Sequence, residues 1–145
     1  MTLTKPILIF ILLSSVFFSC KQENKFHKYL ESHQLRTAYH SIIILTEKGC
    51  PACNSSLANT ITRHTFDSTL IVVNALGTII DLTEIKQNEL ENTLIYDYKE
   101  EYHELGLKGS GVILLNENLE IDSIFKIDAI QLTQQLEFVR NLRAK

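Results

Sequence analysis

From Ser41 onward the apolar positions fall into short runs with two distinct periods. Ile42-Ile43-Ile44-Leu45 is continuous and rich in β-branched residues, the pattern of a strand buried on both faces. Cys53, Leu57 and Ile61 then recur at helical spacing and predict a helix over Cys53 to His64. Arg63 and His64 close it, where positive charge complements the helix dipole. Leu70 to Val73 is a second buried-strand candidate. Strand, helix and strand in this order predict a parallel βαβ unit.

The pattern is weakest between Gly77 and Asn92. There Ile79-Ile80 reads as a short strand and Glu84 to Leu90 as a short helix. Leu94 to Tyr96 is a further strand, and Asp97-x-x-Glu100 has the spacing of a capping box for a helix with Tyr98, Tyr102 and Leu105 on one face. Gly106 is a suitable stop for it. Val112 to Leu115 is again continuous and apolar. After the turn residues Asn116-Glu117-Asn118, Leu119, Ile121, Phe125 and Ile127 alternate with Glu120, Asp122 and Lys126, as in a half-buried strand. The two strands form an expected antiparallel hairpin. Asp128 is placed to cap a final helix whose stripe is Leu132, Leu136, Val139 and Leu142, with Arg140, Arg143 and Lys145 towards its end.

The N-terminal part follows a different rule. Lys5 precedes an unbroken run of apolar residues and serines from Ile7 to Phe18. That run is short for a bilayer span and has the length of a signal-peptide core. It ends in Phe17-Phe18-Ser19-Cys20. The Ser19-Cys20 junction resembles the lipobox of bacterial lipoproteins, which implies cleavage before Cys20 and lipidation of that cysteine. Residues 1–19 are thus the expected signal peptide. Residues 20–40 are the expected tether and N-terminal helical extension, because Phe26, Tyr29, Leu30 and His33 recur at helical spacing. The domain is placed at residues 41–145.

Composition narrows the class without identifying it. At 145 residues, 45% hydrophobic and 21% charged, the chain fits one globular domain. The formal charge is −3, and loss of Lys5 with the signal peptide makes it −4. No basic block offers a footprint for nucleic acid. There are three cysteines, an odd number for an exported protein. With Cys20 lipidated, Cys50 and Cys53 remain as a pair.

Cys50-Pro51-Ala52-Cys53 is the chemically informative stretch. Two thiols three positions apart, between a strand and a helix, are placed for reversible disulfide chemistry. The helix start favours a thiolate, which is the reactive form, and Pro51 suits a first turn that needs no N–H partner. Lys48 is placed to favour the thiolate and Glu47 to oppose it. Two other readings stay open. A structural disulfide fits an oxidising compartment, though so short a loop gains little stability from closure. A metal site needs more ligands, since two cysteines fill half of a tetrahedral shell. His27, His33, His40, His64 and His103 lack the matching spacing, although a soft ion such as Cu(I) suits thiolates.

The order strand, Cys-Pro-Ala-Cys, helix, strand, connecting region, hairpin, helix resembles the thioredoxin superfamily, particularly exported members anchored as lipoproteins. The resemblance covers Ser41 to the C-terminus, including Leu105-Gly106-Leu107-Lys108-Gly109-Ser110-Gly111 leading into the hairpin. It implies an α/β, thioredoxin-like fold: a central mixed sheet with a C-terminal β-hairpin, flanked by helices. It also implies thiol–disulfide exchange, with Cys50 as nucleophile and Cys53 as the more buried resolving thiol. No cofactor is implied and no metal site is assigned. The implied partners are exported protein thiols or disulfides and a membrane or periplasmic thiol redox partner. The implied location is the bacterial cell envelope, lipid-anchored and facing the periplasm. A non-catalytic binding or assembly lipoprotein and a copper carrier are the alternatives.

Two positions differ from the family's pattern. Gly49 stands where the family carries an aromatic residue, and Ser110 or Gly111 where it carries a cis-proline. Ser110 and Gly111 are therefore the substrate-loop candidates, expected to face the cysteines across a loop loosened by glycine. Gly111→Pro is expected to raise generic disulfide reduction if the backbone there accepts a cis bond.

Overall fold

Ser41–Thr46 forms β1, and all six of its residues are buried. The computed structural model describes residues 24–35, 39–87 and 93–142. In it, β1 lies at the centre of a five-stranded mixed sheet flanked by helices. The other strands are β2 (Thr69–Asn74), β3 (Thr93–Tyr96), β4 (Gly111–Leu115) and β5 (Ile121–Lys126), and the spatial order is β3-β2-β1-β4-β5. β1, β2 and β3 run parallel. β4 lies antiparallel to β1, with Ile44 opposite Gly111, and β5 closes the hairpin on β4.

Burial on both faces explains the continuous apolar run in β1. Ile43 and Leu45 contribute to one core, with Cys53, Leu57, Ile61, Leu136 and Val139. Helices α2 (Pro51–Arg63) and α4 (Leu132–Asn141) supply those last residues, and α3 (Leu82–Gln87) adds Ile85. Ile42 and Ile44 meet a second core on the other face, formed with Phe26, Tyr29, Leu30, Tyr102 and Leu105. This second layer comes from α1 (Lys25–Ser32) and a 3-10 helix over Glu101–Leu105. Phe26 and Leu30 are 0% and 1% exposed, so each contributes about 1.5–3 kcal/mol of burial. The N-terminal extension therefore contributes to one face of the core from Phe26 onward. Asn24 caps α1 by accepting from the N–H groups of Phe26 and His27, and its amide donates to the Leu119 carbonyl in the hairpin turn.

Several local expectations change. α2 begins at Pro51 rather than Cys53, because Cys50 itself is the N-cap, and it ends at Arg63. Ile79-Ile80 is not a strand but a bend, for a reason given below. α3 spans Leu82–Gln87, and the rest of the predicted Glu84–Leu90 segment lies outside the described residues. Asp97 does cap the next turn, accepting from the N–H groups of Glu101 and Tyr102. Glu100 does not complete a capping box: its backbone is left-handed at φ 63° and its side chain pairs with Lys48. Tyr98 is exposed, so only Tyr102 and Leu105 of the predicted face are buried. Leu119 belongs to the turn at φ 60° instead of alternating within β5. Asp128 accepts from Ile130 and Gln131 just ahead of α4, whose N-cap is Gln131.

The predicted signal peptide, residues 1–19, and Cys20 lie outside the described residues. Among the described residues no helix is long and apolar enough to cross a membrane, and no peptide bond is cis.

Candidate functional site

The end of β1 and the start of α2 bring Cys50 and Cys53 together. The two are joined as a disulfide, with their Cα atoms 5.2 Å apart. Cys50 is half-buried at the N-cap. Pro51 occupies the first helical position, where no N–H is required. One turn on, Cys53 is 0% exposed and belongs to the apolar core. Its backbone N–H donates to Cys50 Sγ at 3.2 Å. Helix geometry thus separates a half-buried cysteine from a wholly buried one.

The loop entering Cys50 is held at Thr46, Glu47 and Lys48. Asn54, 1% exposed on α2, donates its side-chain amide to the Lys48 carbonyl at 3.0 Å. The Lys48 N–H donates to the Thr46 hydroxyl, which itself donates to Asn74. The Lys48 ammonium pairs with Glu100. Hydrogen bonding within this pair raises the pKa of Lys48 and lowers that of Glu100.

Glu47 turns away from the thiols. Its carboxylate accepts from the N–H groups of Leu76, Ile79 and Ile80 and from the Thr78 hydroxyl, at 2.7–3.2 Å. Desolvation opposes ionisation of Glu47, but the three backbone donors and the hydroxyl outweigh it and hold the carboxyl down at about 2. This ligation is why Ile79-Ile80 bends around a charge instead of extending as a strand.

Ser110 closes the far side. It is 3% exposed, and its hydroxyl both accepts from the Thr46 N–H at 3.0 Å and donates to the Thr46 carbonyl at 3.2 Å. This locks the hairpin entry onto the end of β1. Gly109 and Ser110 share a cleft with Cys50, Lys48, Gly49 and Asn54, which Lys108, Lys126, Ile127, Asp128 and Ala129 complete. The cleft holds about 170 Å³, below the range of roughly 300–1,000 Å³ that small-molecule sites take. Gly111 lies one residue further, within β4 and opposite Ile44 and Lys126. A Cβ there would meet the Phe125 carbonyl at 2.2 Å and Leu107 at 2.7 Å. The backbone at Gly111 therefore leaves no room for the proline substitution expected to raise activity.

Among the predicted site residues, the fold brings Cys50 beside Cys53 and Ser110 into the cleft next to Cys50. Cys20 lies outside the described residues. The sequence reading missed Asn54, Lys108 and Lys126. Asn54 carried a weak signal, a polar residue directly after the second cysteine in a helix with an apolar stripe. Among the described residues no three His, Cys, Asp or Glu side chains converge on a metal-sized site. The sequence matches no family model, and neither curated proteins nor solved structures give a significant match.

Proposed function

We propose that this chain is a thioredoxin-like thiol–disulfide exchange protein, tethered through a lipid on Cys20 to a bacterial envelope membrane. The observation that carries the reading is the pairing of a half-buried Cys50 at a helix N-cap with a wholly buried Cys53 in disulfide. The sheet order, with a parallel βαβ unit followed by an antiparallel hairpin and a final helix, supports the same reading. So does the position of Gly109 and Ser110 beside Cys50.

In the reductive direction the Cys50 thiolate attacks one sulfur of a substrate disulfide. A Cys50–substrate bond forms, the substrate S–S bond breaks, and the departing thiolate takes up a proton. Cys53 then loses its proton and attacks Cys50 Sγ. That step forms the Cys50–Cys53 bond seen here and releases the second substrate thiolate. The reverse sequence transfers the disulfide to a substrate dithiol. The substrates are exported protein thiols or disulfides, and a membrane or periplasmic thiol partner returns the pair to its starting state.

The test is to measure the reduction potential of the Cys50–Cys53 pair and to trap partners with Cys53→Ala. A mixed disulfide through Cys50 is the expected product. In the reduced protein, alkylation of Cys50 should outpace that of Cys53 at least about tenfold, since reaction follows accessibility. A pair that neither exchanges with disulfides nor traps a partner refutes the reading.

A further inference from the structure

We infer that the cleft beside Cys50 selects disulfides carried on acidic peptide segments. This rests on the exchange function proposed above and names the substrate class of the same site. Three lysines line the cleft, Lys48, Lys108 and Lys126, against one carboxylate, Asp128. Asp128 already accepts from the backbone N–H groups of Ile130 and Gln131 at 2.9 and 3.0 Å. Lys48 is paired with Glu100. Lys108 and Lys126 are exposed and make no ion pair among the described residues, although the Lys126 charge helps to lower the pKa of Asp128. Positive charge thus gathers beside the cleft-lining Cys50 of a chain whose formal charge is −3.

The walls suit a peptide. Gly49 precedes Cys50 at φ +94°, and the space where its Cβ would stand is open. Gly109 lies across the cleft at φ +131°, with the stem of Lys126 3.7 Å from its Cβ position. Gly49 is exposed while Gly109 is buried, so open backbone lies on the Gly49 side of Cys50, where an extended chain can approach closely. A volume of about 170 Å³ takes a side chain or two of such a chain. Carboxylates flanking the substrate cysteine then meet Lys108 and Lys126 while its sulfur meets Cys50. Charge complementarity of this kind acts mainly by speeding encounter and rejecting wrong partners.

The experiment uses the reduced protein and two peptides, each with one cysteine in disulfide with neutral 2-thiopyridine. One peptide carries glutamates on both sides of the cysteine and the other carries glutamines. Release of the thiopyridine reports formation of the Cys50 mixed disulfide. The glutamate peptide should react about five- to tenfold faster at low salt, and the ratio should shrink towards one at molar salt as screening sets in. In the Lys108→Gln/Lys126→Gln variant the ratio should be about one at any salt. Equal rates for both peptides in the parent protein overturn the acidic preference and leave exchange standing. Faster reaction with the 2-thiopyridine mixed disulfide of glutathione, a small anion with the same leaving group, than with the glutamate peptide overturns the assignment to a peptide. No reaction with any disulfide, a small neutral one included, overturns the exchange function and this inference with it.

Discussion

The side-chain amide of Asn54 donates to the carbonyl of Lys48 across 3.0 Å, from a position 1% exposed. It ties the helix carrying Cys53 to the loop that presents Cys50. The tie does not involve the sulfurs, so it should persist when the disulfide is reduced. Asn54→Ala removes a buried hydrogen bond and should cost about 1–2 kcal/mol of stability. The loss should be larger in the reduced protein, where no disulfide restrains the same loop. Urea unfolding of both redox forms checks this, and equal losses in the two would show that the bond does not hold the loop.

Glu47 gives the protein a pH-dependent brace. Its folded pKa of about 2 lies below the ordinary 4.5. A depressed carboxyl stabilises the fold fully above its unfolded pKa, and that contribution fades as pH falls through the folded value. The window is therefore about pH 4.5 down to 2. Glu47→Gln should lower the thermal midpoint at neutral pH, and the gap from the parent should close towards pH 2. Curves that stay parallel across this window would show that the charge is not what holds the Leu76–Ile80 bend.

Gly111 is a packing requirement. A Cβ 2.2 Å from the Phe125 carbonyl cannot be relieved by a side-chain rotation, so β4 and β5 must move apart. Gly111→Ala should cost about 2–3 kcal/mol. Gly49→Ala has open space and meets only the backbone penalty of its positive φ, so it should cost about 1–2 kcal/mol. Denaturant midpoints of the two variants, compared at equal slope, check the order. A milder effect at Gly111 than at Gly49 would contradict the packing argument.

The tether is tested separately from the chemistry. Cys20→Ala should release the protein from membrane fractions or leave the N-terminal segment uncleaved. The parent should show a lipid-modified Cys20 and no Met1 to Ser19 by intact mass. An unmodified Cys20 in membrane-bound protein would refute the anchor.

Elements with one dominant local signal were legible in the sequence. Ile42 to Leu45 needs burial on both faces whatever surrounds it, and Cys53, Leu57 and Ile61 need one core. The hairpin declared itself through Asn116-Glu117-Asn118 between two apolar stretches. The misreadings share a cause, which is control by a residue distant in sequence. Ile79-Ile80 has strand composition, but its N–H groups serve Glu47, 32 and 33 positions away. Glu100 has capping-box spacing, but Lys48 draws it off. In the candidate site, the cysteine pair was legible because its chemistry is local. The basic cleft was not, because Lys48, Lys108 and Lys126 come from three separate segments. Gly111 read as loop freedom, whereas strand pairing made it a close contact.

The bond from Asn24 to Leu119 limits how the molecule could stand if Cys20 carries the proposed lipid. Leu119 lies in the hairpin turn, beyond the Leu115 end of β4, while the disulfide lies at the Gly111 end. Those ends are separated by the length of a five-residue strand, about 17 Å. The four peptide links from Cys20 to Asn24 reach at most about 14 Å. A lipid on Cys20 would therefore tether the domain at the turn-side pole, about a strand length from the disulfide.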